Sequence, residues 1–352
     1  MKAAIGTALA LAIWAGPAAA QVITKQYDDG GVYEGTFRNG LQHGQGSYVL
    51  PNGYRYEGDW VEGQIMGQGR AAFPNGSVYE GQFAGGKPHG QGKITYADGG
   101  TYEGAWAEGE ITGQGVARYA NGSVYEGQFV SGLHQGRGVL TQANGYRYEG
   151  DWNAGVKEGQ GKITYPDGAT YEGAMLAGQR AGQGKLVMSD GLTYEGVWAA
   201  GQMSGSGVLV QPTGDRYDGQ MQGGRRQGKG VATYANGDVY DGDFADDRRH
   251  GQGTFTGADG YVYVGEWSEG RMEGRGHLGQ MRADRPDGTG KITYADGSTY
   301  EGQWSEGVIE GEGKASYANG MVYEGGFRNA RNDGQGRMSY PDGYVYSGAW
   351  KD

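Results

Sequence analysis

The residues of this chain that are able to do chemistry are carboxylates and imidazoles that recur at a fixed spacing. From Tyr33 to Tyr263 every twenty-third position is a tyrosine, and Glu or Asp follows it in almost every repeat. This ladder is a candidate cation site, because Ca²⁺ and Mg²⁺ prefer oxygen ligands. If a repeat contains two strands, however, successive carboxylates lie about 9.5 Å apart, too far for two of them to bind one ion. We therefore expect exposed structural acids, some of them paired with an arginine two residues earlier: Arg55 with Glu57, Arg147 with Glu149, and Arg216 with Asp218.

The histidines do not form a metal site either. With each repeat tyrosine counted as position 0, His43, His89 and His250 all occupy position 10. His43 and His89 belong to repeats two apart, so about 19 Å separates them. The chain has no cysteine, which excludes thiolate ligands, and no Ser, His and Asp combination stands outside the repeat pattern. We predict no catalytic, cofactor-binding or metal site, and we expect the protein not to be an enzyme.

Two short strands per repeat must position these side chains. Residues two apart in a strand share a face, so positions 0, 2 and 4 place the tyrosine, a glycine and a large apolar residue together, opposite the acid. A second apolar alternation covers positions 15 and 17. An Asn-Gly or Asp-Gly pair such as Asn75-Gly76 then connects most repeats and accepts the positive φ of a tight hairpin turn. Position 4 is always Phe, Trp or Met: Phe37, Trp60, Phe83, Trp106, Phe129, Trp152, Met175, Trp198, Met221, Phe244, Trp267, Trp304, Phe327 and Trp350.

The phrase Tyr-Glu-Gly-x-Trp-x-x-Gly-x-x-x-Gly-x-Gly, repeated at this constant interval, resembles the MORN (membrane occupation and recognition nexus) repeat. The resemblance covers essentially all of the chain from Tyr33 onward. It implies an all-β fold in which successive β-hairpins form an elongated single-layer antiparallel sheet. With strands about 4.8 Å apart, thirteen repeats of two strands predict a rod of roughly 120 Å.

The repeat spacing divides the chain and changes once. We predict a lead-in at residues 21–32, thirteen MORN-type repeats over 33–345 and a terminal half-repeat at 346–352. Between Tyr263 and Tyr300 the spacing exceeds one repeat interval, and the extra residues are interpreted as an insertion near residues 277–290. The default interpretation is a surface loop. The alternative is a docking loop, whose candidate contacts are His277, Arg282, Asp284 and Arg285.

Residues 1–20 are predicted to be a secretory signal peptide. Lys2 supplies the charged start, an apolar run follows, and three alanines before Gln21 provide small residues for cleavage. The run is shorter than the roughly 20 apolar residues that a membrane-spanning helix needs. We therefore expect a bacterial, exported type of repeat protein that is periplasmic or secreted.

The charge of the chain restricts its partners. The formal net charge is −11, spread along the sequence without blocks of one sign. Nucleic acid is disfavoured, because phosphate binding requires a basic surface. Because the chain is negatively charged, a membrane surface is possible as a partner only where basic residues form local patches.

The aromatic face is the main candidate for binding. A sheet with one apolar side must cover it, because large apolar patches are rarely left in water. Either the side chains of successive hairpins cover one another and form the core, or a ligand groove or dimer seam completes the face. The candidate residues are Tyr79, Phe83, Tyr102, Trp106, Tyr125, Phe129, Tyr148 and Trp152.

These observations predict a non-enzymatic repeat scaffold in the cell envelope. Repeat arrays expose a long, regular surface, which suits binding of a protein, a membrane-associated partner or a second copy. The family resemblance implies the same roles, and we expect none of the catalytic activities of the kinase or methyltransferase domains that accompany some family members. The alternative is a polysaccharide or cell-wall binding module that stacks sugars on the aromatic face. No cofactor is expected.

Overall fold

The structure is a computed structural model that describes residues 21–351, apart from residues 261, 277, 278, 283 and 295. The predicted signal peptide at 1–20 lies outside the described residues. Every regular element of the described chain is a strand, and no helix there has the length and apolarity needed to cross a membrane. The all-β prediction is confirmed.

The strands follow one another as seven-residue and nine-residue members of successive hairpins, with short or irregular strands at both ends and near residue 280. Their bounds are β1 Ile23–Gln26, β2 Val32–Arg38, β3 Leu41–Val49, β4 Arg55–Val61, β5 Gln64–Ala72, β6 Val78–Ala84, β7 Lys87–Thr95, β8 Thr101–Ala107, β9 Glu110–Arg118, β10 Val124–Val130, β11 Leu133–Thr141, β12 Arg147–Asn153, β13 Val156–Thr164, β14 Thr170–Leu176, β15 Gln179–Val187, β16 Thr193–Ala199, β17 Gln202–Val210, β18 Arg216–Gln222, β19 Arg225–Thr233, β20 Val239–Ala245, β21 Arg248–Thr256, β22 Val262–Ser268, β23 Arg271–Gly276, β24 Gly279–Arg282, β25 Arg285–Thr293, β26 Thr299–Ser305, β27 Val308–Ser316, β28 Val322–Arg328, β29 Arg331–Ser339 and β30 Val345–Trp350.

The chain divides into two compact units, one ending at Val156 and the other beginning at Lys157. Within the first unit, strands β1 to β12 pair antiparallel with their neighbours in sequence order, as in the pairing of β6 with β7 and of β7 with β8. The second unit continues the same order from β13, for example through β15, β16 and β17. The predicted order of successive antiparallel hairpins is thus confirmed in both units.

Apart from the hairpin that contains residue 283, which is not described, each repeat hairpin closes with a two-residue turn that the sequence analysis did not locate. Strand β8 connects to β9 through Glu108 and Gly109, whose φ angles are +51° and +91°. Two consecutive left-handed residues define a type I′ turn, which matches the twist of the flanking strands. The recurrent glycine at position 7 was the available signal, because glycine adopts a positive φ without steric cost.

The Asn-Gly pairs make a different, wider turn between repeats. Phe73 N–H donates to the Ser77 carbonyl at 2.8 Å, and Gly76 N–H donates to the Phe73 carbonyl at 2.9 Å. Of the Asn75-Gly76 pair only the glycine has a positive φ, +84°, while the Asn75 side chain accepts a hydrogen bond from Ser77 N–H at 3.0 Å. This is a three-residue loop with a bulged glycine rather than a two-residue turn.

In repeats that begin with a tyrosine, such as Tyr102, the core forms where the tyrosine ring lies flat on paired glycines. A Cβ atom built on Gly115 would be 2.5 Å from the ring of Tyr102, so no larger residue fits under the ring. Gly104 and Gly115 pair across strands β8 and β9, and the register shifts between Gly104 and Trp106. The tyrosine hydroxyl donates to the Ala105 carbonyl at 3.1 Å. Tyrosine, glycine and tryptophan therefore share one face, as predicted.

The segment interpreted as an insertion forms strands. In β24, Gly279 pairs with Gly290 and Met281 with Pro286 of β25. This is the register of Gly81 with Gly92 and Phe83 with Pro88 in β6 and β7. Residue 277 also precedes Tyr300 by one repeat interval, so residues 277–299 have the length and pairing of a full repeat. The insertion prediction is corrected: the repeat that starts at Tyr263 is shortened after Gly276, and a further repeat follows it.

Candidate interaction surface

The eight aromatic residues predicted as a binding face all lie in the core. Their exposed fractions are at most 7%, which leaves no ring face for a sugar or another flat ligand to stack on. In the order of the chain, they are Tyr79 at 0%, Phe83 at 4%, Tyr102 at 1%, Trp106 at 7%, Tyr125 at 0%, Phe129 at 3%, Tyr148 at 0% and Trp152 at 5%. Of the two interpretations of this face, the structure favours mutual coverage.

The rings cover one another in an alternating chain of edge-to-face contacts. Trp106 lies 5.1 Å from the Tyr79 ring of the preceding repeat and 5.5 Å from Tyr102 of its own. Contacts of this geometry add to the free energy of area burial. Burial also raises the pKa of Tyr79 and of Tyr102 to about 12, so their hydroxyls stay protonated and act as donors. The aromatic face is therefore structural.

In several repeats the residue at position 9 contacts these aromatic rings, and one repeat places a histidine there. The His134 ring stacks on Tyr125 with centroids 3.6 Å apart, and its Nε2 lies 2.7 Å from the Tyr119 hydroxyl. It also meets Trp152 edge-on at 4.8 Å. Burial lowers the pKa of His134 to about 4, so the ring is neutral near pH 7. This histidine acts as a packing residue.

Three other repeats place an arginine at position 9. Arg180 lies over the Trp198 ring at 4.2 Å and donates through Nη2 to the Gly201 carbonyl at 2.8 Å. Arg249 repeats both contacts, with Trp267 at 4.1 Å and the Gly270 carbonyl at 2.7 Å. Arg226 lies over the Phe244 ring at 5.4 Å and donates to the Asp247 carbonyl at 2.5 Å, and its Nε also lies 3.4 Å from Asp247 Oδ1. These guanidinium groups combine cation–π contacts with backbone hydrogen bonds.

Several acids of the ladder on the opposite face form ion pairs with a base. Lys185 contacts Glu195 at 3.2 Å, and Arg70 contacts Glu80 at 3.0 Å, in both cases from position 14 to position 1 of the next repeat. Within the described residues, no three His, Asp or Glu side chains are grouped closely enough to hold a metal ion. Because these side chains are more than half exposed, each pair contributes little to stability.

Two of the three predicted local ion pairs are present. Arg147 lies 2.7 Å from Glu149, and Arg216 lies 2.9 Å from Asp218. The two members of each pair are two residues apart on one strand face, which brings their charged groups together. In the described chain Arg55 makes no such contact with Glu57. The register instead sets Glu57 opposite Arg70.

The four docking-loop candidates are not brought together as a loop. His277 lies outside the described residues, and Arg282 ends strand β24. Asp284 and Arg285 are exposed. Asp284 adopts a φ of +68°, and its carboxylate accepts a hydrogen bond from Met272 N–H at 2.6 Å. Asp284 therefore ties the hairpin turn to the preceding repeat, and a docking role of this segment stays a prediction.

An open groove of about 710 Å³, which the sequence analysis did not find, lies in the second unit. Its walls come from four consecutive repeats, the last of which contributes only Gly224. The residues that line it are Tyr165, Pro166, Asp167, Ala169, Arg180, Leu186, Met188, Trp198, Gly201, Gln202, Met203 and Gly224. The available sequence signal was Met188 at position 17, where most repeats have an aromatic residue.

Successive hairpins share the same strand register, the same paired glycines and the same two-residue turn. This repetition defines a β-hairpin repeat protein. The chain belongs to the MORN repeat family: the family model matches residues 33–53, 56–78, 79–101, 102–124, 125–145, 148–170, 171–193, 194–216, 217–239, 240–260, 263–278, 277–299, 300–322 and 323–343. The match at 277–299 agrees with the strand register of that segment.

Two solved structures to which the chain is similar are distant likenesses. The G-box domain of the microcephaly protein CPAP is 17% identical, with a TM-score of 0.27 over 64% of this chain and 100% of that domain. The TCP domain of Drosophila melanogaster SAS-4, solved with a proline-rich motif of Ana2, is 13% identical, with a TM-score of 0.27 over 61% of this chain and 99% of that one. Neither likeness carries an argument about function. No curated protein gave a significant match.

Proposed function

We propose that this protein is a non-enzymatic repeat scaffold that binds a protein or membrane-associated partner, or a second copy of itself. The observation that carries the proposal is that the aromatic residues are buried: Tyr102 and Trp106 lie in the core and are at most 7% exposed. What the repeats then present to solvent is a charged surface on which, in several repeats, a base at position 14 contacts the acid at position 1 of the next repeat; the pair Lys314 and Glu324 at 2.6 Å is an example. Repeat arrays use such surfaces for recognition.

The same pair of charges recurs at the same positions of several repeats, and this recurrence supports the charged surface as the recognition surface. Lys185 and Glu195 on β15 and β16, and Lys314 and Glu324 on β27 and β28, present the same charges in the same register. A partner with its own repeated charges would contact several such pairs together, although each pair is weak alone. Charge complementarity would then give specificity and a salt-dependent association rate.

Export to the cell envelope, in the manner of a bacterial periplasmic or secreted protein, is the second part of the proposal. The support is the sequence of residues 1–20, with Lys2, an apolar run and small residues before Gln21. Its test is a fusion of alkaline phosphatase, which is active only after export, behind residue 26. We expect activity from this fusion and its loss when Leu11→Arg interrupts the apolar run. Equal activity of both fusions would contradict export.

The scaffold role is tested by crosslinking in intact cells and by solution mass. The full chain and a charge-reversed variant, Lys185→Glu with Lys314→Glu, are compared at two salt concentrations. We expect one defined crosslinked partner or a dimer, weakened by the double reversal and by salt. A chain that stays monomeric and uncrosslinked in its own cells would contradict the scaffold role. Substrate turnover by the purified protein would contradict the non-enzymatic part.

A further inference from the structure

The groove in the second unit combines an apolar surface with one cation. Met188 is 37% exposed and Met203 is half-buried, so their flexible thioether groups are accessible along it, while Leu186, which is largely buried, forms part of the wall. Methionine side chains adapt to ligands of irregular shape. A volume of about 710 Å³ is within the range of small-molecule sites.

The cation is Arg180, and its surroundings differ from those of the two equivalent arginines. Arg226 has Asp247 at position 7 of the next repeat. Arg249 has Asp238 at position 21 of the preceding repeat: the backbone hydrogen bond from Ala258 is the main cause that lowers the pKa of Asp238, and the positive charge of Arg249 adds to it. The corresponding positions beside Arg180 are Gly201 and Ala169. In the described part of the chain, Arg180 makes no ion pair.

Arg180 is nevertheless well positioned for an anion. Its stacking on Trp198 and its bond from Nη2 to the Gly201 carbonyl hold the guanidinium plane in place. Five N–H donors in a rigid fork fit a carboxylate with two parallel hydrogen bonds. Because the groove is lined mainly by apolar groups, such a pair is less screened than one in open water.

We propose that this groove binds a free amphiphilic carboxylate, a linear alkyl chain whose carboxylate contacts Arg180 and whose chain lies on Leu186, Met188 and Met203. A carboxylate is favoured over a phosphate monoester because Asp167 also lines the groove and repels a doubly charged group more strongly. A free molecule is favoured over a lipid in a bilayer because the net charge of −11 opposes approach to an anionic membrane. This activity goes beyond the scaffold role.

The test is isothermal titration of the full chain with sodium dodecanoate below the concentration at which it forms micelles. Two variants remove the free charge in different ways. Arg180→Gln deletes it, with Gln42 as a natural precedent at position 9, and Ala169→Asp supplies the acid that Asp238 provides near Arg249. Both are expected to weaken binding about tenfold, the effect of losing one charge-assisted hydrogen bond.

Matched controls separate the site from a general surface effect. Arg249→Gln is expected to bind dodecanoate as the unchanged protein does, and dodecylamine is expected to bind at least about tenfold more weakly than dodecanoate. Circular dichroism verifies that each variant is folded. The proposal would be overturned if the unchanged protein did not bind dodecanoate, or if it bound only to phosphatidylglycerol vesicles. It would also be overturned if Arg180→Gln and Ala169→Asp bound dodecanoate as tightly as the unchanged protein does, or if dodecylamine bound as tightly as dodecanoate.

Discussion

The indole nitrogen of Trp106 donates a hydrogen bond to the carbonyl oxygen of Gly92, 3.2 Å away and in the preceding repeat. The same link joins Trp60 to Gly46 at 3.2 Å and Trp198 to Gly184 at 3.0 Å. The position-4 tryptophan thus fills the core and connects two repeats at once. This double role explains why its ring is turned inward instead of facing a ligand.

Trp106→Phe is expected to lower the free energy of unfolding by about 1–3 kcal/mol. The change removes the hydrogen bond to Gly92 and part of the ring volume, although phenylalanine fits this position in other repeats, such as Phe83. Urea denaturation measures the effect. Trp304→Phe is the matched control: Trp304 is only half-buried and its indole makes no such bond in the described chain, so a smaller loss is expected. Equal losses would contradict the link.

Gly115→Ala is expected to destabilise the protein by roughly 1–3 kcal/mol or more. The added Cβ would lie 2.5 Å from the Tyr102 ring, which is buried between strands and has no space to move. Gly100→Ala serves as the control, because Ala169 occupies the equivalent position 21 of another repeat. Thermal unfolding of both variants measures the difference, and similar melting temperatures would contradict the close packing of tyrosine on glycine.

Stability is expected to fall as the pH decreases from about 6.5 toward 4, in part through His134. Its folded pKa is about 4 against 6.5 for an exposed histidine, so between these values the unfolded chain binds the proton more readily. The free energy of unfolding therefore increases as the pH rises from about 4 to 6.5. His134→Gln, chosen because Gln42 occupies the same position of another repeat, should flatten this part of a melting-temperature profile. An unchanged slope would exclude His134 as its source.

Ala177→Gly is expected to stabilise the protein by about 0.5–1 kcal/mol. Ala177 has a φ of +49° in a type I′ turn, a conformation that costs an alanine more than a glycine, and Gly85 already occupies the equivalent position. Ala199→Gly, at the end of strand β16, is expected to destabilise by a similar amount because glycine loses more backbone entropy there. Chemical denaturation that gave both variants the same sign would contradict the turn assignment.

The alternation of apolar residues predicted the strands and their faces correctly. Tyr102 and Trp106 share a face because they are an even number of residues apart, and this follows from strand geometry alone. The turn type did not follow from the Asn-Gly signal. The tight turn falls instead at pairs such as Glu108 and Gly109, where the strand twist selects left-handed residues even for a glutamate.

The sequence by itself determined the all-β class, the repeated hairpin and the membership of Tyr102, Trp106 and their equivalents in one face. Only the tertiary structure decided that these rings cover one another, because coverage depends on contacts between repeats such as Trp106 with Tyr79. It likewise decided that residues 279–282 form a strand of a further repeat, since pairing depends on strands on both sides. The groove beside Arg180 also needed the structure, because it is made by side chains of three repeats that meet only when the hairpins stack.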